Sequence, residues 1–336
     1  MTTISAHEGL YWTAEEGGAV RCALCPFHCR LKRGVRPVCG GRENRGGRMA
    51  ATNYGMVGAV AVDPIEKKPL YHFMPGSRIL SVGPNGCNMA CSFCQNAHLS
   101  QSSAPVRYIA PERLAGMAVE SGGIGVAYTY AEPLIWYEYL LDAGAAVREQ
   151  GRKNVLVTNG LVEPEPFDRL APLIDAMNID LKSMDERFYR KVCKGPLAPV
   201  LTTIRRAVER GIHVELTNLL IPTLNDAPDQ IDRLVAFVAG LGRTIPLHFS
   251  RYHPDHRLSI PATPKETLLR AARQASQRLD YVYVGNIDLP EWRQTRCPGC
   301  GAVAVRRGWF GVESMGVTAT GACAVCGGSL TMTVAP

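Results

Sequence analysis

A chain of 336 residues with 46% apolar and 20% charged side chains has the make-up of an ordinary folded protein, long enough for one large core with small appendages. The formal charge of +7 comes from Lys and Arg spread along the chain, without aromatic–basic interleaving, so no nucleic-acid partner is expected. No run of 18 apolar residues occurs, and Met1-Thr-Thr-Ile-Ser-Ala-His-Glu8 has no basic stretch before an apolar one, so neither a membrane span nor a secretion signal is expected, and a cytoplasmic location is.

Cysteine is the informative residue. Eleven of twelve fall into three groups, and C-x2-C spacings in such a chain point to metal in a reducing compartment rather than to disulfides. The first group lies in a segment of residues 1–75. Cys22, Cys25, Cys29 and Cys39 are spaced C-x2-C-x3-C-x9-C, with Pro, Gly and Arg between them, which reads as a loop wrapped round a metal. Four thiolates fit zinc or a [4Fe-4S] cluster equally well, and His28 is a substitute ligand. Arg30, Lys32, Arg33 and Arg36 are either a solvated face or an attractor for an anionic substrate or acidic partner. Thr52 to Val62 reads as a strand pair leading into the core.

From residue 76 to 286, apolar strand-like runs alternate with amphipathic stretches. The predicted strands are Ile79–Val82, Ile124–Tyr128, Asn154–Thr158, Met177–Asp180, His213–Asn218, Leu247–Ser250 and Tyr281–Val284. The predicted helices are Pro111–Ser121, Leu134–Gln150, Pro166–Ile174, Glu186–Val192, Val200–Arg210, Pro228–Gly240 and Lys265–Arg278. This alternation predicts an α/β fold, a parallel sheet with helices outside it, and leaves a part-barrel and an open doubly wound sheet as alternatives. After the first strand, Cys87, Cys91 and Cys94 form C-x3-C-x2-C. Three thiolates on so short a loop can hold three irons of a [4Fe-4S] cluster and leave the fourth open; a zinc knuckle completed by His98 and a disulfide pair with a spare thiol are the alternatives. Polar residues recur at the carboxyl ends of the later strands, where parallel α/β folds build their sites. They are Thr129 to Pro133, Thr158-Asn159-Gly160, Asp180-Leu-Lys182, Asn218 with Ile221 to Asn225, and His248 with Arg251. Each has a plainer reading. Glu132 would cap a helix, Asp180 and Lys182 would pair, His248 would be a satisfied core histidine, Arg251 would pair with Glu215, and Gly285-Asn286 would only turn the chain. Cys193, outside the three groups, reads as a buried small hydrophobe, with a redox or hydrogen-relay role as the alternative.

In residues 287–336, Cys297 and Cys300 are followed by Cys323 and Cys326, two C-x2-C knuckles of a zinc ribbon, with an auxiliary iron or iron–sulfur site as the rival. So small a segment needs a metal to hold its core.

The C-x3-C-x2-C loop with Phe93 before its last cysteine resembles the signature of the radical S-adenosylmethionine (SAM) superfamily. Cys87 to Ser100, Tyr128 to Pro133, Thr158 to Gly160, Asp180 to Lys182 and Ile221 to Asn225, in that order, resemble the AmmeMemoRadiSam-system branch, which is similar to pyruvate formate-lyase activating enzymes. The resemblance implies a partial (β/α)6 barrel and reductive cleavage of SAM to a 5′-deoxyadenosyl radical. It also implies an electron donor of flavodoxin or ferredoxin type, and a substrate that is either a small molecule or a protein, the latter as in installation of a glycyl radical on a partner. It assigns Glu132 to the SAM amino group, Lys182 to its carboxylate, Asp180 to the ribose, Ile221 to the adenine, and Asn159 and His248 to the SAM surroundings. Tyr130 and Ala131 stand where that family has two glycines. A non-catalytic metal-binding adaptor is the rival class.

Overall fold

The structure is a computed structural model and describes residues 7–309 and 311–335; Met1 to Ala6, part of the stretch read for a secretion signal, lie outside them. Eight strands form its main sheet: β1 (Ala59–Pro64), β2 (Arg78–Gly83), β3 (Gly125–Tyr128), β4 (Lys153–Thr158), β5 (Ala176–Asp180), β6 (His213–Leu220), β7 (Leu247–Arg251) and β8 (Val282–Gly285). They lie in sequence order, β2 to β8 all parallel, with β1 added antiparallel to β2. Six crossovers join the seven parallel strands. They carry α1 (Pro111–Glu120), α2 (Tyr137–Glu149), α3 (Pro164–Leu170), α4 (Ala198–Glu209), α5 (Pro228–Leu241) and α6 (Lys265–Ala275). β1 and β8 are the two edges and do not pair, so the wall is a partial (β/α)6 barrel with an open seam.

Strand alternation explains both faces. Tyr128, Leu156, Met177 and Leu216 join one buried cluster with Tyr139, Leu140, Ile204 and Val235 of the helices. The neighbouring positions, Ala127, Val155 and Ala176, belong to a second cluster with Ile65, Leu70, Phe73 and Met74. The chain between β1 and β2 therefore fills part of the barrel interior, which small residues on those strands leave open.

The N-terminal cysteine segment forms two small three-stranded sheets of strands two to four residues long. It is pinned to the barrel by Arg42 and Glu138 of α2, an ion pair of 2.5 Å with both partners almost wholly buried, and by Leu10 N donating to Glu138 at 2.7 Å. At the other end, β9 (Thr295–Arg296), β10 (Val303–Arg307) and β11 (Val312–Met315) form an antiparallel ribbon. Its tail reaches the barrel through a bridge between Phe73 and Thr333, and Arg307 donates to the Tyr71 carbonyl at 2.6 Å. The ribbon thus lies over the seam.

Two predicted helices differ in form. Leu134–Gln150 begins as a 3-10 turn over Pro133–Trp136 before α2. Glu186–Val192 is one α-turn, Glu186–Phe188, running into a π-turn, Tyr189–Cys193, whose carbonyls are needed by the cysteine loop.

Candidate functional site

The loop after β2 leaves the sheet at Gly86, φ 98°. It is held from outside: the backbone Ala90 N donates to the Cys193 carbonyl at 3.0 Å and Ser92 N to that of Val192 at 3.1 Å, and the Asn88 side chain donates through Nδ2 to the Leu161 carbonyl at 2.7 Å. The π-turn and the turn after β4 therefore set the sulfurs. Asn159 Nδ2 lies 3.5 Å and Met89 N 3.3 Å from Cys87 Sγ, and Ser100 Oγ lies 3.1 Å from Cys94 Sγ. Cys193 is buried, with its carbonyl 3.9 Å from Cys91 Sγ. Burial pushes the Cys87 thiol well up from its ordinary value.

Cys87, Cys91 and Cys94 line one cavity of about 320 Å³, and no other cysteine or histidine among the described residues lines it. This donor set fits a [4Fe-4S] cluster with one iron left without a protein ligand. Glu132, Thr158, Asn159, Asp180 and Lys182 line the rest of the same cavity, so most of the rim residues singled out in the sequence converge on it. Glu132 Oε1 accepts from Thr158 Oγ1 at 2.5 Å and Leu134 N at 3.0 Å, and Oε2 accepts from Asn159 N at 2.8 Å. The helix-cap reading of Glu132 is thus met alongside its place in the cavity wall. Burial pushes its carboxyl up to about 7 against those donors. Lys182 and Asp180 pair at 2.9 Å; burial works against the ammonium, yet Asp180 and Cys91 hold its pKa well above the ordinary value.

Other positions fall elsewhere. Ile221 is buried and does not line this cavity, whereas Leu219 does. His248 lines a neighbouring chamber of about 550 Å³. Its Nε2 lies 2.6 Å from Glu215, whose carboxyl burial would raise but His213 and His248 hold low. Arg251 does not pair with Glu215; it is in register with Leu220, five residues further along β6, and donates to the Thr263 carbonyl at 2.9 Å. Asn286 does more than turn the chain. At φ 60° it lines both cavities and donates to Ser250 Oγ at 2.8 Å. Tyr130 holds the left-handed conformation, φ 71°, that a glycine would take there, and its hydroxyl reaches Asp63 at 2.9 Å. Pro69, Thr217 and Ser250 also line the cavity; they lie inside strands or an irregular segment, where no motif marks them.

The four ribbon thiols all lie within 4.8 Å of one another, the one such group among the described residues, with Cys297–Cys326 at 3.5 Å and Cys300–Cys323 at 3.8 Å. A tetrahedral ion with metal–sulfur bonds near 2.3 Å would place its sulfurs about 3.8 Å apart, so the ribbon fits a single metal ion. The N-terminal four are looser. Burial first, then Cys22, Cys39 and Cys29, push the Cys25 thiol up to about 12. His28 Nε2 lies 3.1 Å from Glu163.

The family model described as the radical SAM superfamily matches residues 82–238, from the end of β2 to α5, which brackets the cysteine loop and the rim. The chain is 43% identical over 327 residues to an uncharacterized protein of Methanocaldococcus jannaschii, covering 95% of this chain and 97% of that one. Residues 82–238 belong to the radical SAM superfamily. It is also 25% identical over 185 residues to the pyruvate formate-lyase-activating enzyme of Clostridium pasteurianum, covering 53% of this chain and 76% of the relative. In fold it is similar to Streptococcus suis SuiB, solved bound to S-adenosylmethionine (TM-score 0.50, 16% identity, 64% of this chain and 50% of that one). It is likewise similar to a radical SAM methyltransferase from Sphaerobacter thermophilus (TM-score 0.50, 19% identity, 63% and 67%). Superfamily membership implies a [4Fe-4S] cluster and SAM, and no helix among the described residues is long and apolar enough to cross a membrane.

Proposed function

We propose that this chain is a radical SAM enzyme whose core site is Cys87, Cys91 and Cys94 together with Glu132, Asn159, Asp180 and Lys182. The observation that carries the reading is their convergence on one cavity with three thiols and no fourth. Bound there, cluster and SAM supply a 5′-deoxyadenosyl radical by one-electron reductive cleavage. The chain's own residues bind and shelter. Glu132, with one acceptor position left on Oε2, suits the ammonium of SAM. Lys182 suits its carboxylate and Asp180 the ribose hydroxyls. Asn159 Nδ2, donating to Asn88 Oδ1 at 2.9 Å, fixes the cysteine loop against the turn after β4. Leu219, from the same strand end as Ile221, is the apolar side chain that reaches the cavity for the adenine.

The substrate takes the adjoining chamber, which shares Pro69, Thr217, Ser250 and Asn286 with the SAM cavity. His248, Tyr71, Arg307 and Trp309 line it, the last two from the ribbon. Closure of the seam by the ribbon favours a small molecule; the likeness to an activating enzyme favours the second reading, a glycyl radical installed on a partner protein. In both, the cysteine-bearing part of residues 1–75 acts as metal segment, residues 76–286 act as barrel together with β1 and the chain that follows it, residues 287–336 act as zinc-binding ribbon, and an electron-donor protein is required. The test is anaerobic reconstitution with dithionite and SAM. Wild type is expected to yield 5′-deoxyadenosine, and Cys91→Ala at least about a hundredfold less. Equal yields would refute the core assignment, and a glycyl signal in paramagnetic resonance with a partner would select the second reading.

A further inference from the structure

We propose that Cys22, Cys25, Cys29 and Cys39 hold a second [4Fe-4S] cluster that relays single electrons from an acidic carrier protein to the core cluster. The proposal rests on the core reading above.

The first observation is sulfur spacing. Four thiolates on one ion crowd together, as the ribbon's do; on a cubane each sits on its own iron and the sulfurs stand further apart. The N-terminal four do not close to 4.8 Å, and in this they match the core three rather than the ribbon. They form no disulfide, and Cys22 is buried while Cys25, Cys29 and Cys39 are half-buried.

The second observation is position. A Cβ placed on Gly86 would lie 2.1 Å from the Cys39 carbonyl oxygen, and Cys87 is the next residue. Cys39 and Cys87 line a common cavity of about 670 Å³. On the other side, Glu163 N donates to the Leu24 carbonyl at 3.0 Å, joining the first knuckle to the chain that leaves the Asn159 turn. The backbone of one of these cysteines therefore packs against the residue that precedes a core cysteine, and both cysteines line one cavity, a placement a remote zinc staple would not need.

The third is the outer face. Arg30 and Arg36 are paired with Glu15 and Glu43, but Lys32 and Arg33 are exposed and have no ion pair among the described residues. Three and four residues after Cys29 in the chain, they give an acidic carrier a basic approach to this segment. One electron leaves the reduced carrier, resides on the N-terminal cluster and passes to the core cluster. No proton moves and no bond forms or breaks until SAM is cleaved.

Iron, sulfide and zinc counts on the anaerobically reconstituted full chain test the site. About eight iron, eight sulfide and one zinc per chain are expected, and about four iron with the zinc retained in the Cys22→Ala/Cys25→Ala variant. Four iron and two zinc in the wild type would overturn the proposal. A measurement independent of that variant's folding is spin counting on dithionite-reduced wild type. About two spins per chain are expected, one of them perturbed by added SAM. A single spin, wholly perturbed, overturns the second cluster; two spins with no response to SAM overturn the core reading instead. For the relay, Lys32→Glu/Arg33→Glu is expected to lower the ratio of flavodoxin-driven to dithionite-driven 5′-deoxyadenosine formation about tenfold. An unchanged ratio removes the carrier from this face.

Discussion

Glu132 enters the site with most of its acceptor capacity committed. Thr158, Leu134 and Asn159 hold three of about four lone-pair positions, and burial lifts the carboxyl to about 7. Below that pH the free site holds a neutral acid; above it, a carboxylate. An ammonium beside it binds the carboxylate better, so SAM binding draws the pKa down and releases a proton. SAM affinity is therefore expected to fall as pH drops from about 8 to 6, by up to about tenfold per unit below 7, and Glu132→Gln is expected to flatten the dependence. Perturbation of the reduced-cluster signal by SAM, titrated at several pH values, reads this directly; a wild-type profile as flat as the variant's would remove Glu132 from the ammonium. At this scale the sequence showed charge type but not reach. Glu132, Asp180 and Lys182 stand where strand ends put them. Ile221 and Leu219 share a strand end, and only packing decides which faces the cavity.

The cysteine loop is the element whose conformation is least its own. It has little internal backbone bonding, and its hydrogen-bond partners include residues 99, 132, 161, 192, 193 and 257. Gly86 is the point where no side chain fits, with φ 98° and contacts of 2.1 Å to Cys39 O and 3.0 Å to Ile135 Cδ1 for any Cβ. Gly86→Ala is expected to cost on the order of 3 kcal/mol and to loosen Cys39 from Cys87. Gly116→Ala, in α1 with nothing nearer than 3.8 Å, is expected to stabilise by about 0.5–1 kcal/mol. Denaturant unfolding of the pair checks the contrast, and equal midpoints would mean that the Cys39 contact yields freely. Periodicity made the seven parallel strands and most of the outer helices legible. It did not show the strands of residues 7–51, too short to carry a period, or the π-turn at Tyr189–Cys193, which answers to the loop it supports.

On the scale of the whole molecule, the open seam between β1 and β8 makes the ribbon part of the enzyme rather than an appendage. Arg307, almost wholly buried, spans the join. One guanidinium nitrogen reaches the Tyr71 carbonyl, the other reaches Thr295 Oγ1 at 2.8 Å, and the plane stacks on Tyr71 at 4.2 Å. The ribbon's own core is six buried residues, two of them cysteines, too few to hold shape alone. A metal held by the four thiols would add to the order its barrel contacts give it, and with it fix the position of Arg307 and Trp309 against the chamber. Cys297→Ala/Cys300→Ala is therefore expected to lose the zinc with iron retained and to expose Arg296 and Arg306 to trypsin. The cavity proposed for SAM has no ribbon residue in its wall among the described residues, so SAM should still perturb the core signal in that variant, while substrate turnover falls. If the zinc-free ribbon resisted trypsin as well as wild type, its fold would not depend on the metal. If SAM binding failed together with it, the seam and the SAM cavity would have to be one structural unit, not two adjoining chambers.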